Sequence, residues 1–116
     1  MKKIYHLATC DTCQMILKEV DAVKKGAALQ DIKTEKITPA QIDEMKKLAG
    51  SYESLFSRRA LKYKSMGLKD KQLAEKDYRK LILEEYTFLK RPVAIIGKEI
   101  FIGNTKAIVE ALKNTL

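Results

Sequence analysis

Residues 2–13 read KKIYHLATCDTC, a short stretch that contains both cysteines of the chain. Residues 2–6 have the composition of a short strand, and from Asp11 onward apolar residues recur at helical spacing. Cys10 and Cys13 therefore fall where a strand passes through a short loop into the first turn of a helix. The stretch indicates a strand-to-helix unit that carries two thiols at a helix N-terminus.

The helix N-terminus favours redox chemistry at the first cysteine. Unpaired backbone N–H groups point outward there and the helix dipole is positive, so the pKa of Cys10 should fall below the usual value of about 8.5. The thiolate is the nucleophile, and Cys13, one turn further along, is placed to attack a mixed disulfide and release the product. We interpret the two residues as a redox-active CxxC disulfide pair; an inert buried pair and a metal-binding pair are the alternatives.

Composition limits both the class of protein and the kind of site. The 116 residues are 46% hydrophobic and 33% charged, which excludes a disordered chain and fits one globular domain. Two cysteines and one histidine leave a four-ligand zinc site short of ligands, and a cytosolic protein rarely keeps a structural disulfide. No apolar run approaches the roughly 18 residues of a membrane span, and the N-terminus lacks a signal-peptide pattern. We expect a cytoplasmic protein with no membrane partner, no bound metal and no bound cofactor.

The net charge of +8 favours an acidic partner, such as an anionic substrate, a nucleic acid or an acidic protein surface. The lysines are spread through the predicted helices rather than gathered into one tract, so solvated helix faces are the alternative explanation. We expect no direct binding to nucleic acid.

Three arginines are candidates for completing an anion site at the helix N-terminus, which by itself already attracts anions. Their planar guanidinium forks match the geometry of oxyanions. They are Arg58, Arg59 and Arg91, and Arg91 directly precedes Pro92, where a cis peptide bond would bring the backbone close to the thiol. For each arginine, an ordinary surface position is the alternative.

The remaining pattern predicts a β-α-β unit, a helical excursion, and then a β-β-α unit, which together form one mixed sheet with helices packed on it. The first helix would bury Met15, Ile16, Val20 and Val23. A capping box at Thr38 opens the next helix, and Gly50 ends it. Predicted strands are 2–6, 28–33, 93–96 and 99–102; predicted helical segments are 11–25, 38–50, 51–89 with a break at Gly67, and 106–114.

The sequence resembles the arsenate reductase (ArsC) family, a thioredoxin-like fold with a helical insertion that also includes the Spx-type regulators. The resemblance is carried by YHLATCDTC (5–13), SRRALKYKSMGL (57–68), LKRPVAII (89–96) and the closing hairpin and helix. It covers essentially the whole chain. It implies a single ArsC-like domain over 1–116, with the helical insertion at approximately 34–89.

By position, the resemblance implies that Cys10 is the catalytic cysteine and that Arg59 is the first anion-binding arginine. Arg91, before a cis Pro92, would be the second. The third arginine of true arsenate reductases should follow the last strand, but Asn104 stands near that place with Lys106 close by.

We assign Thr12 and Asn104 to substrate or anion binding as well. The family's Gly-Thr-Ser-Arg run after the cysteine is replaced here by residues 11–14, DTCQ. These two departures weaken arsenate as the natural substrate.

Two functional branches follow from the resemblance. Arsenate reductases take their second thiol from glutathione and glutaredoxin, whereas a resident Cys13 resembles the Spx-like branch. In that branch the CxxC pair is a redox switch, and the protein binds the C-terminal domain of the RNA polymerase α subunit. Gly50 is a candidate for that branch's contact glycine, with an ordinary helix stop as the alternative.

We therefore expect a thiol-dependent oxidoreductase in which Cys10 attacks and Cys13 resolves through a disulfide. Its substrate would be a small oxyanion or a thiol compound, and its electron donor glutathione with glutaredoxin, or thioredoxin. An Spx-like regulator that binds the RNA polymerase α subunit is the alternative. A general thioredoxin-like or glutaredoxin-like disulfide reductase that uses the same two thiols is a third hypothesis.

Overall fold

The computed structural model describes all 116 residues and contains one four-stranded mixed sheet. Its strands are β1 (Lys2–His6), β2 (Ala28–Asp31), β3 (Val93–Ile96) and β4 (Glu99–Ile102), in the spatial order β2-β1-β3-β4. Strand β1 runs parallel to β2 and antiparallel to β3, and β3 forms an antiparallel hairpin with β4. The α/β class with a mixed sheet is confirmed.

Five α-helices accompany the sheet: α1 (Asp11–Glu19), α2 (Pro39–Ala49), α3 (Leu61–Ser65), α4 (Glu75–Glu84) and α5 (Lys106–Thr115). The chain forms two compact units. The first unit contains Met1–Lys36 and Arg91–Leu116, and the second contains Ile37–Lys90. The description of the chain as a single domain with an insertion at 34–89 stays a prediction. No helix is both long enough and apolar enough to cross a membrane.

The core of the first unit lies between the sheet and helices α1 and α5. Ile4, Ala94 and Phe101 are cross-strand partners on β1, β3 and β4, and all three are buried in one cluster. Since the partners of a ladder share one face of the sheet, they form an apolar row across it. Helix α1 covers this face with Ile16, Leu17 and Val20, and α5 covers it with Val109 and Leu112.

Helix α1 is shorter than predicted, and its buried stripe begins two residues earlier, at Cys13 rather than at Met15. It ends at Glu19, because Asp21 adopts a left-handed conformation (φ 58°) and the chain continues in turns to Gly26. Met15 and Val23 are 70% and 71% exposed, so the prediction that they face the core was wrong. Cys13 is fully buried instead and starts a stripe that continues through Ile16, Leu17 and Val20.

Strand β2 is also shorter than predicted and ends at Asp31. The Asp31 carboxylate accepts a hydrogen bond from the Lys33 N–H (3.2 Å), which turns the chain away from the sheet. The same oxygen faces the Ala8 N–H at 3.5 Å. Asp31 therefore links the end of β2 to the loop that precedes α1.

The second unit is helical, but it is less continuous than predicted for 51–89. Thr38 forms the predicted capping box of α2 with Gln41, and Gly50 ends that helix in the left-handed conformation. The predicted break at Gly67 is confirmed by its positive φ of 65°. A short 3-10 turn at Leu68–Asp70 and irregular backbone separate α3 from α4. Two further 3-10 turns lie outside this pair, Glu53–Leu55 before α3 and Tyr86–Phe88 after α4.

Candidate active site

Cys10 is the N-cap residue of α1. Its backbone is extended (φ −95°, ψ 110°), its carbonyl accepts the Gln14 N–H (3.1 Å), and its own N–H donates to the Leu7 carbonyl (3.0 Å). The side chain is partly exposed and the thiol is free. This places the Cys10 sulfur beside the unpaired N–H groups of the first helical turn, as the sequence predicts.

Cys13 lies in the same turn, but its side chain is completely buried. It too is a free thiol. The pair therefore presents one accessible sulfur and one that faces the core.

The pKa of the Cys10 thiol is lowered from its ordinary value. Partial burial acts to raise this pKa, but the backbone N–H of Cys13, the Cys13 thiol, and the charge and hydrogen bonding of Arg91 together lower it. These groups stabilise the thiolate, which is the nucleophilic form.

The pKa of Cys13 moves in the opposite direction. Burial raises the pKa of this thiol to about 11, and Cys10 adds to the rise through hydrogen bonding and charge, against the Leu7 backbone and Arg91, which lower it. The two shifts therefore favour ionisation of Cys10 before ionisation of Cys13. The two thiols of one helical turn thus differ in both acidity and exposure.

Arg91 and Pro92 lie on the approach to β3. The Arg91–Pro92 peptide bond is cis, Pro92 is buried, and its carbonyl accepts the Gly103 N–H at 2.9 Å. Arg91 is half-buried, and its cation acts on both thiols. The structure thereby brings together three predicted site residues, namely Cys10, Cys13 and Arg91.

The other predicted anion-binding residues of the first unit are exposed. Thr12 lies in the first turn of α1, and Asn104 follows β4 just before α5. No ion pair or side-chain hydrogen bond involves either residue, and their assignment to anion binding stays a prediction.

Arg58 and Arg59 belong to the second unit and differ in their surroundings. Arg58 donates to Glu53 (2.9 Å) and to the Tyr78 hydroxyl (3.2 Å), and its guanidinium lies over the Tyr78 ring. Arg59 is exposed, and its guanidinium takes part in no ion pair. Arg58 is therefore held by its own neighbours. The anion-binding role that the resemblance implies for Arg59 stays a prediction.

The side-chain contacts of Gln14 near the cysteines were not predicted from the sequence. Gln14 donates hydrogen bonds to the Leu7 carbonyl (3.0 Å) and to Nδ1 of His6 (3.2 Å). A polar residue four positions after a nucleophile at a helix start was the available signal. No group of three or more His, Cys, Asp or Glu side chains is placed to hold a metal ion.

Replacing Arg91 by Met should make Cys10 less reactive near neutral pH. Because Arg91 helps to lower the pKa of Cys10, its loss raises that pKa, and the pH dependence of alkylation moves to higher pH. We expect the rate at pH 7 to fall several-fold, and Arg91→Lys to retain part of the effect. Lys106→Met is the control, since Lys106 is exposed on α5. Equal pH profiles for Arg91→Met and the wild type would show that Arg91 does not support the thiolate.

Comparison with known proteins identifies a family and a fold. The sequence model of the ArsC family matches residues 5–112. An arsenate reductase from Vibrio cholerae superposes with a TM-score of 0.80 at 14% identity, covering 99% of this chain and 97% of that one. A protein from Staphylococcus aureus gives 0.77 at 24% identity, covering 96% and 97%. An ArsC-related protein from Brucella melitensis gives 0.69 at 22% identity, covering 95% and 92%.

At these identities the structural likenesses show the fold alone, and they confirm the predicted thioredoxin-like architecture of this family. A search of curated protein sequences gave no match.

Proposed function

Because the chain belongs to the ArsC family, we propose that it is a thiol-dependent oxidoreductase in which Cys10 is the nucleophile and Cys13 the resolving thiol. One observation carries the proposal: two free thiols share one helical turn, with Cys10 partly exposed at the N-cap and Cys13 fully buried. Their pKa values are shifted in opposite directions accordingly. A nucleophile needs a stabilised thiolate, and a resolving thiol must wait until the first sulfur has reacted.

The first step is an attack by the Cys10 thiolate. With a disulfide substrate, a bond forms between the Cys10 sulfur and one substrate sulfur, and the other substrate sulfur leaves as a thiolate. Cys10 has then lost its negative charge. Since that charge helps to hold the Cys13 proton in place, its removal favours ionisation of Cys13.

The second step is resolution by Cys13. Its thiolate attacks the Cys10 sulfur, the mixed disulfide breaks, and the bound substrate half leaves as a thiolate. The substrate disulfide has gained two electrons, and the protein has formed one Cys10–Cys13 disulfide. An external dithiol, or glutathione with glutaredoxin, would return the pair to the reduced state.

With an oxyanion such as arsenate, the same thiols would balance the reaction. Cys10 displaces an oxygen of arsenate, which leaves as water, and forms a sulfur–arsenic bond. Cys13 attacks the Cys10 sulfur, and the electrons of the sulfur–arsenic bond remain on arsenic. Arsenate and two thiols thus give arsenite, one disulfide and one water. Arg91 would neutralise the anion beside Cys10.

The test is arsenate reduction by the purified protein, supplied with glutathione plus glutaredoxin or, separately, with thioredoxin. Wild type and Cys10→Ser are compared for arsenite release. Turnover that disappears in Cys10→Ser supports an oxyanion reductase. If the protein reduces a small disulfide but not arsenate, the substrate is a thiol compound in its disulfide form. Failure with both substrates would contradict the enzyme proposal.

A redox-switched regulator is the second candidate, and position 104 favours it. Asn104 stands where arsenate reductases would place a third anion-binding arginine, while Cys13 supplies a resident partner for Cys10. In this alternative, disulfide formation changes binding to the RNA polymerase α subunit. Binding to that subunit that differs between the reduced and oxidised protein, without catalytic turnover, would support it.

A further inference from the structure

Gln14 joins helix α1 to the loop that carries Cys10. Its amide nitrogen lies 3.0 Å from the Leu7 carbonyl oxygen and 3.2 Å from Nδ1 of His6, and both contacts are partly buried. A carboxamide NH₂ has two hydrogens, so the two acceptors use its full donor capacity. The opposite orientation of the amide would bring its oxygen against the Leu7 carbonyl oxygen, and two acceptors do not bond.

This geometry also indicates which nitrogen of the His6 ring carries the hydrogen. Since Gln14 donates to Nδ1, that nitrogen must be an acceptor, and the hydrogen of the neutral ring lies on Nε2. His6 is only 8% exposed and lies at the end of β1. Gln14 therefore fixes two successive residues at the point where the strand enters the loop.

Leu7 in turn contacts both cysteines. The carbonyl that accepts the Gln14 amide also accepts the Cys10 N–H at 3.0 Å. The Leu7 backbone also hydrogen bonds to the Cys13 thiol. One peptide segment thus contacts the nucleophile and the resolving thiol, and the Gln14 side chain holds that segment against the helix.

We infer that Gln14 is a positioning residue, which holds Leu7 and His6 so that Cys10 and Cys13 keep the relative placement that their reaction requires. The inference rests on the proposed function of the two thiols. Gln14 touches neither sulfur through its side chain. Its backbone N–H bonds the Cys10 carbonyl at 3.1 Å as part of the helix, and this bond survives a change of side chain.

Two variants distinguish the hydrogen bonds that Gln14 donates from the space that its side chain fills. Gln14→Glu keeps the size of the side chain but offers a carboxylate that cannot donate, and Gln14→Met keeps the length without polar atoms. Gln72→Met is the matched control, because Gln72 is exposed in the second unit and makes no side-chain hydrogen bond. The ionisable groups around the loop are Cys13, Arg91, His6, Asp11 and Asp31. Gln14→Met retains all of them and adds no charge, whereas Gln14→Glu adds a carboxylate.

The measurement is the pH dependence of Cys10 alkylation by iodoacetamide, with the thermal unfolding midpoint recorded for each variant. We expect both Gln14 variants to need a higher pH, with the rate at pH 7 reduced several-fold. Gln14→Glu should show the larger change, because its carboxylate faces the Leu7 carbonyl oxygen and also adds a negative charge near Cys10. The change in the uncharged Gln14→Met variant is therefore the measure of positioning. Gln72→Met should match the wild type.

The inference is overturned if both Gln14 variants fold and their pH profiles superimpose on a wild-type profile that is shifted to low pH. If the wild type itself reacts as an ordinary thiol, the proposed function of Cys10 fails, and the positioning role fails with it. If one variant does not fold, a profile of the other that superimposes on the wild type still overturns the inference.

Discussion

Iodoacetamide added to the folded protein at neutral pH should modify Cys10 and leave Cys13 untouched. The pKa of Cys10 is lowered, and that of Cys13 is raised to about 11. At pH 7 the thiolate fraction of Cys13 is then about one in ten thousand, since each pH unit below the pKa costs a factor of ten. Cys13 is also completely buried, which keeps the reagent from its sulfur.

Peptide mapping by mass spectrometry after a short exposure measures the modification at each cysteine. Cys10→Ser should abolish labelling of the folded protein, and Cys13→Ser should preserve it. Labelling in denaturant, where both thiols react, is the control for reagent and recovery. Equal labelling of Cys10 and Cys13 in the folded protein would contradict the assignment of the nucleophile.

Cys13→Ser should convert a transient intermediate into a stable product. With oxidised glutathione, the Cys10 thiolate still attacks and forms a mixed disulfide, but no second thiol remains to break it. The serine hydroxyl can replace the thiol as a hydrogen-bond donor to Cys10, so the nucleophile should keep much of its reactivity. We expect nearly complete conversion to the Cys10–glutathione adduct, detected by intact mass.

The Cys10→Ser variant is the matched control for this adduct and should form none. Wild-type protein under the same conditions should pass through the adduct without accumulating it. A wild-type protein that keeps glutathione on Cys10 as long as Cys13→Ser does would show that Cys13 does not resolve.

Local signals were sufficient to predict much of the fold. The hairpin of β3 and β4, the Thr38 capping box and the breaks at Gly50 and Gly67 were all correctly predicted, because each depends on a few neighbouring residues. Each signal has a direct backbone cause, such as a side-chain cap or a positive φ at glycine.

The register of α1 shows where local patterns fail. A core-facing stripe that includes Met15 and Val23 and one that includes Cys13 both have helical spacing, and only Cys13 is buried. The left-handed conformation of Asp21 ends the helix before Val23, and no glycine or proline at that position predicts the end. Which face is buried was decided by packing against the sheet.

The candidate site was predicted in part for the same reason. The lowered pKa of Cys10 is expected from its place at a helix start, and the proximity of Arg91 was suggested by the resemblance. The contacts of Gln14 with Leu7 and His6 depend on how the end of β1 folds back against α1. Spacing alone does not encode that approach.

The reaction of the reduced wild-type protein with one equivalent of oxidised glutathione shows whether Cys10 attacks and Cys13 resolves. After acid quenching, thiol counting and peptide mapping report where each sulfur is found. The proposed chemistry predicts a Cys10–Cys13 disulfide and two released glutathione thiols for each protein molecule oxidised. A persistent glutathione adduct on Cys10 beside a free Cys13 thiol, or no reaction at either cysteine, would contradict it.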